Sequence, residues 1–178
     1  NVHDIDGVVN CSYPRNQSYG REFLDVERND FNDNLNLNLG SSFSLMQESA
    51  KSFRNNKRRF SFVNIASIYG VKAPNFELYK NTKMTMPVEY AAIKSSLIHL
   101  SAYITKYIND SRFRINCISP GGILDKQPEN FLSAYTNETL GKGMLDPNDI
   151  IGSILFLLSD YSEFINGQNI IIDDGFTL

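Results

Sequence analysis

Tyr90 and Lys94 stand four positions apart in Tyr90-Ala91-Ala92-Ile93-Lys94. On a helix that spacing puts both side chains on one face, one turn from each other. A free tyrosine keeps its proton until about pH 10. A neighbouring ammonium favours the phenolate, so the pair could exchange a proton with a reacting oxygen near neutral pH. Taken alone the spacing is common, and its ordinary reading is a surface lysine beside a half-buried ring. Ser67 changes the weighing. It closes the apolar run that contains Phe60, Phe62, Val63 and Ile65, at a strand's carboxyl end, where open α/β sheets bind ligands. From there it could hydrogen-bond a substrate carbonyl or hydroxyl and hold it against Tyr90.

The elements that must position these groups follow from periodicity. Ile5 to Cys11, Arg59 to Ala66, Arg114 to Ser119 and Asn169 to Asp173 are short apolar runs rich in β-branched residues, read as buried strands. A loop over 12–29 leads to a helix over about 30–53, where Leu35, Leu39, Phe43, Met46 and Ala50 mark the buried face. Its asparagine-rich start reads as compositional bias. Arg54, Lys57, Arg58 and Arg59 read as a solvated turn, with cations suited to a helix C-terminus. Pro87 opens the helix that carries Tyr90 and Lys94, at a first-turn position where proline is tolerated; this helix runs to about Asn109 and is apolar on more than one side. Asp146-Pro147-Asn148-Asp149 is a helix start, and Ile151, Ile154, Leu155 and Leu158 should face the core. The alternation of strands with helices gives an α/β fold, a parallel sheet of about four strands with helices on both faces.

Composition excludes several classes. The 178 residues carry a net charge of −3, with a pI near 5.4. Neither a nucleic-acid nor an anionic-membrane partner has an electrostatic basis, and no apolar run spans a bilayer. Cys11 and Cys117 lie in strand-like runs, one strand apart, and read as buried free thiols suited to a reducing cytoplasm. No spacing of Cys and His suggests a metal site, and His99 reads as a surface or interface residue.

In order, Asn10-Cys11-Ser12-Tyr13, Asn64-Ile65-Ala66-Ser67-Ile68-Tyr69-Gly70, Tyr90-x-x-x-Lys94 and Asn116-Cys117-Ile118-Ser119-Pro120-Gly121 resemble the motifs of the short-chain dehydrogenase/reductase family. The resemblance covers nearly the whole chain. It implies a Rossmann-type sheet, and residues 1–178 would form about the carboxyl-terminal two thirds of one such domain, truncated before the glycine-rich strand-turn-helix that cradles the dinucleotide pyrophosphate. It implies NAD or NADP as cofactor, with Tyr90 moving the proton and Ser67 holding the substrate oxygen. Lys94 would lower the Tyr90 pKa and hold the nicotinamide ribose, and Asn38 would anchor a relay water. Asn10 would lie beside the cofactor, and Pro120, Gly121 and Ile123 would support the nicotinamide. For Asn10 a strand-end residue bonding its own turn is an equal reading. Three places depart from the pattern: Cys11-Ser12-Tyr13 after Asn10, the absence of a threonine near Asp125, and Asp174 in place of a glycine in the closing Asp173-Asp174-Gly175.

The segment from Tyr69 to Met86 is longer than in many members of the family and carries Tyr69, Lys72, Asn75, Glu77, Tyr79, Lys80 and Lys83. Loops of this kind carry specificity. Its aromatic, amide and charged groups suit a sugar or another polyhydroxylated small molecule, and Ser-Ile-Tyr-Gly-Val and Met-Pro-Val-Glu-Tyr resemble a subgroup associated with surface-glycan and flagellin modification. Residues 122–143 correspond to a polar, mobile lid. A homo-oligomer, dimer or tetramer, is implied through the Tyr90 helix, and the bared side of the Val8-Val9 strand should also favour association. The chain by itself should bind dinucleotide weakly or not at all and be inactive. The rival readings are a 3-oxoacyl carrier-protein reductase, which a basic carrier-docking patch would favour, and a non-catalytic binding or scaffold protein of the same fold.

Overall fold

The computed structural model describes residues 5–178. Four strands form one parallel sheet in the order β1-β2-β3-β4: β1 (Gly7–Asn10), β2 (Phe60–Ile65), β3 (Phe113–Pro120) and β4 (Asn169–Ile172). The helices are α1 (Arg28–Leu35), α2 (Ser41–Asn56), α3 (Val88–Ile108), α4 (Glu129–Asn137) and α5 (Ile151–Leu158). Residues Asn36–Gly40 form a single wide π-helical turn between α1 and α2, so the two run on as one helical rod.

Period-two alternation explains the two layers. On one face Phe60, Phe62, Phe113 and Ile115 pack with Met46 and Phe53 of α2 and with Ile93, Leu97 and Ile104 of α3. On the other, Val63 and Ile118 pack against Leu157 of α5. A polar seam crosses the first face. Asn10 Nδ2 donates to Asn64 Oδ1 (2.9 Å), Asn64 Nδ2 donates to Ser101 Oγ (3.0 Å), and Ser101 is also in contact with the Cys117 thiol (3.2 Å). It fixes β1, β2 and β3 relative to α3 with paired rather than orphaned groups.

The four expected strands form the expected parallel sheet, and the helices expected over about 30–53, to about Asn109 and over 150–158 are present; α4 lies inside the segment read as a lid, and there are local corrections. The buried stripe of the α1–α2 rod is Asn34, Asn38, Ser42, Met46, Ser49 and Phe53, while Phe43 is 44% exposed. The asparagines are therefore partly internal, and Asn34 bonds the backbone of Asn16 and the carboxylate of Glu89. Ile151 and Leu155 of α5 face outward and Leu157 is the buried residue, because α5 presents only one narrow stripe to the sheet. Cys11 is exposed, since β1 ends at Asn10 and the chain leaves the sheet there. Pro87 is the residue before the first turn of α3. The Asp146/Asp149 capping box forms as the sequence indicates.

Among the described residues, no carboxylate forms an ion pair with Arg114. Its guanidinium donates to the carbonyls of Leu157 (2.9 Å), Ser159 (3.0 Å) and Ser162 (3.1 Å), so the C-terminal end of α5 supplies the compensating partial charge.

Candidate active site

Three strand ends build the site. β2 stops at Ile65 and delivers Ser67, which caps the short turn Ile68–Gly70 by accepting from Tyr69 N at 3.2 Å. β3 stops at Pro120 and turns through Gly121 and Gly122. β1 stops at Asn10 and delivers Cys11 and Tyr13. Helix α3 lays Tyr90 and Lys94 across these ends. Close approach is enforced at Gly70, where an added Cβ would stand 2.7 Å from the Lys94 carbonyl carbon.

A cavity of roughly 510 Å³ opens between them, a size that suits a small molecule. Ser67, Tyr90 and Lys94 line it, as do Pro120, Gly121 and Ile123. Burial holds the Tyr90 phenol above the ordinary tyrosine value, and the neighbouring Ser67 hydroxyl pulls it part of the way back. The direction is opposite to the lowering expected from Lys94. The reason is geometric: the Lys94 ammonium lies over the Tyr90 ring, 5.6 Å from its centre, and donates to the Ile65 carbonyl at 2.7 Å. Burial also brings Lys94 itself down to about 8.

The structure does not bring Asn10 or Asn38 into the cavity lining. The Asn10 side chain is spent on Ser42, Asn64 and its own turn at Ser12, so of its two readings the strand-end one describes its contacts. Asn38 sits in the π-helical turn, 1% exposed, and both its amide oxygen and its amide nitrogen lack partners among the described residues. A buried amide with both ends free is a place where a water molecule would be held.

The 69–86 segment reaches the cavity with Tyr69, Tyr79, Met84 and Met86, and not with its charged residues. Lys72 donates to the Phe176 carbonyl, Glu77 pairs with Lys80, and Asn75 caps the turn Phe76–Tyr79. The segment over 122–143 likewise presents Gln127, Phe131 and Tyr135 to the cavity while Asp125, Lys126 and Glu129 face solvent. The Tyr135 hydroxyl accepts from Gly122 N at 2.6 Å, and its ring stacks on Phe176 at 4.6 Å. The part of the wall that these two segments supply is thus aromatic and thioether-rich, with phenols and the Gln127 amide as its polar groups.

Sequence reasoning did not single out Tyr13 and Arg15. Tyr13 meets Tyr90 edge-on with ring centres 5.6 Å apart, and Arg15 lies over the Tyr13 ring at 5.4 Å. The available signal was the departure after Asn10, where a large aromatic replaces a small residue.

No group of His, Cys, Asp and Glu among the described residues could hold a metal ion, and no helix among them is long and apolar enough to cross a membrane. For a nicotinamide dinucleotide, the residues present fit the nicotinamide-ribose half. Lys94 offers ammonium donors beyond the one given to Ile65, and the orphaned Asn38 amide lies on the helix beside α3.

A family model described as enoyl-(acyl carrier protein) reductase matches residues 1–177. The post-translational flagellin modification protein A of Campylobacter coli is 41% identical over 176 residues, covering 98% of this chain and 68% of that protein. A 3-oxoacyl-[acyl-carrier-protein] reductase of Chlamydia trachomatis is 30% identical over 147 residues, covering 79% of this chain and 54% of the other. A short-chain dehydrogenase from Leptospira borgpetersenii, solved with bound NAD+, superposes with a TM-score of 0.88 at 33% identity, over 97% of this chain and 65% of that one. The chain thus spans between about half and two thirds of the length of these relatives.

Proposed function

The chain belongs to the short-chain dehydrogenase/reductase family, and from that premise we propose that it carries the proton-transfer half of an NAD(P)-dependent oxidoreductase acting on a carbonyl or hydroxyl of a sugar-like molecule. The observation that carries this reading is the convergence of Ser67, Tyr90 and Lys94 on one cavity at the carboxyl ends of β1, β2 and β3. Similarity to the flagellin modification protein supports the sugar-like substrate. So do the aromatic faces and phenols of Tyr69, Tyr79 and Tyr135, which offer apolar platforms with hydrogen-bonding tips.

Each residue has one task. Ser67 holds the substrate oxygen beside the Tyr90 hydroxyl. Tyr90, kept protonated by burial, gives its proton to that oxygen during carbonyl reduction and takes one back in the reverse direction. Lys94 holds the ribose hydroxyls and supplies the nearby positive charge. Asn38 retains the water through which the proton is replaced. Asn10 braces the frame that positions these groups, and Pro120, Gly121 and Ile123 wall the nicotinamide. When bound, the nicotinamide supplies or accepts the hydride.

Residues 1–178 are proposed as about the carboxyl-terminal two thirds of the catalytic domain. The unpaired side of β1, and the outward apolar residues Tyr103 and Tyr107 on α3 and Leu155 on α5, are proposed as surfaces of self-association. The unpaired thiols suit a reducing cytoplasm.

The test is turnover of NADH and NADPH by the intact protein with a panel of keto-sugars, wild type against Tyr90→Phe. Loss of about 100-fold or more in rate is expected, since the general acid is removed. Unchanged turnover sinks the mechanism. A second reading, reduction of a 3-oxoacyl thioester, is favoured by the apolar wall of Met84, Met86, Phe131 and Met144. Faster reduction of acetoacetyl-coenzyme A than of every keto-sugar would select it.

A further inference from the structure

We infer that the substrate of this cavity carries an anionic group, a carboxylate or a phosphate, and that Arg15 is the residue that selects it. The inference rests on the oxidoreductase reading only in taking this cavity as the substrate site. Two cations line the cavity, Lys94 and Arg15, and no Asp or Glu does. The chain carries a net charge of −3, so an all-cationic cleft is not inherited from composition. A cleft lined by one sign of charge concentrates ligands of the other.

The two cations are placed differently. Lys94 is buried and directed inward at the Ile65 carbonyl. Arg15 is exposed, and among the described residues no carboxylate pairs with it. Several surface arginines are neutralised by a carboxylate, Arg21 by Asp30, Arg59 by Glu163 and Arg112 by Asp110, whereas Arg15, like Arg54 over Tyr107, rests on an aromatic ring; of the two, only Arg15 lines the cavity. What holds Arg15 is Tyr13, through the ring face at 5.4 Å. Since Tyr13 packs edge-on against Tyr90, the guanidinium is fixed one aromatic ring from the proton donor. Thr85 Oγ1 donates to the Gly20 carbonyl at 2.5 Å and ties the loop bearing Arg15 to the long segment before Tyr90. A planar fork with open N–H groups, preoriented by an aromatic face and lacking a protein anion, matches a carboxylate or phosphate in two-point fashion.

Calorimetry with D-glucose, D-glucuronate and D-glucose 6-phosphate tests this on wild type, Arg15→Gln and Arg15→Glu. At least one acid should bind about tenfold or more tightly than glucose, and Arg15→Gln should bring that preference to within about twofold. Arg15→Glu should turn it into discrimination against both acids. Which acid wins separates a carboxylate from a phosphate. Equal binding of all three, failure of both acids to bind, or a preference that survives Arg15→Gln overturns the inference. So does a loss confined to NADH binding, which would assign Arg15 to the cofactor. Anion preference without any turnover keeps the inference and removes the oxidoreductase reading.

Discussion

The Lys94 ammonium donates to the carbonyl oxygen of Ile65, the last residue of β2, at 2.7 Å. The lysine is thereby a strut between α3 and the sheet as well as a charge beside Tyr90. A neutral carbonyl offsets only part of the cost of burying an ammonium, and the lysine falls to about 8.

That depression fixes a pH dependence. Between about pH 8 and 10.5 the unfolded chain holds a proton on Lys94 that the folded chain has released, so stability rises with pH across this window. The burial penalty is present in full below it. Relative to Lys94→Met, the wild type should gain up to ~3 kcal/mol between pH 7.5 and 10.5. Urea unfolding at the two pH values measures it, and a flat difference would show that the lysine titrates normally.

Removing the Arg114 guanidinium takes the charged donor from the carbonyls of Leu157, Ser159 and Ser162 and leaves them only neutral donors, Ser61 Oγ, Ser162 Oγ and Ile165 N. Arg114→Met should cost ~3 kcal/mol, and Arg114→Lys should recover only part of this because one ammonium cannot reach all three. Chemical denaturation of both variants decides; equal stability of Met and Lys would mean that packing, not hydrogen bonding, dominates there.

The two thiols should differ sharply. Cys11 is exposed and lines the cavity, whereas Cys117 is buried and its thiol is pushed up to about 11. Iodoacetamide at pH 8 should add one label, at Cys11, and the labelled protein should lose ligand binding in the cavity. Intact mass followed by peptide mapping reads the first outcome and calorimetry the second. Prompt labelling of Cys117 would contradict its burial.

Asp174 occupies a left-handed backbone position (φ 52°) that a glycine would take without strain. In return its carboxylate accepts from Gly141 N (3.0 Å) and Lys142 N (2.6 Å), holding the segment behind α4. Asp174→Gly should change global stability by less than ~1 kcal/mol while raising amide exchange at residues 141–143 by about tenfold. Unaltered exchange there would remove the anchoring role.

The strands and the Ser67–Tyr90–Lys94 site were legible because each depends on local spacing. A strand end and a four-residue helical interval locate three groups before any tertiary contact is known. Phe43, Ile151 and Leu155 were assigned inward because periodicity counts apolar residues without knowing how narrow a stripe the sheet accepts. The burial of Asn34 was illegible for the complementary reason: its partners, Asn16 and Glu89, come to it from distant segments. The charged residues of the 69–86 segment gave the segment its polar appearance, yet Lys72 bonds the backbone and Glu77 pairs with Lys80. Only the turn geometry decides which of its side chains look inward.

The wide turn at Asn36–Gly40 sets the phase of the rod formed by α1 and α2. At 3.6 residues per turn, each step of four over-rotates by ~40°, so in a regular helix Asn34, Asn38, Ser42 and Met46 would fan through ~120°. A π-helical turn, with its extra residue, absorbs that drift. The rod can therefore set a hydrophilic N-terminal half and a hydrophobic C-terminal half on one line, facing α3 and then the sheet. Deleting a single residue from this turn would leave every remaining side chain chemically intact and put the two halves out of register.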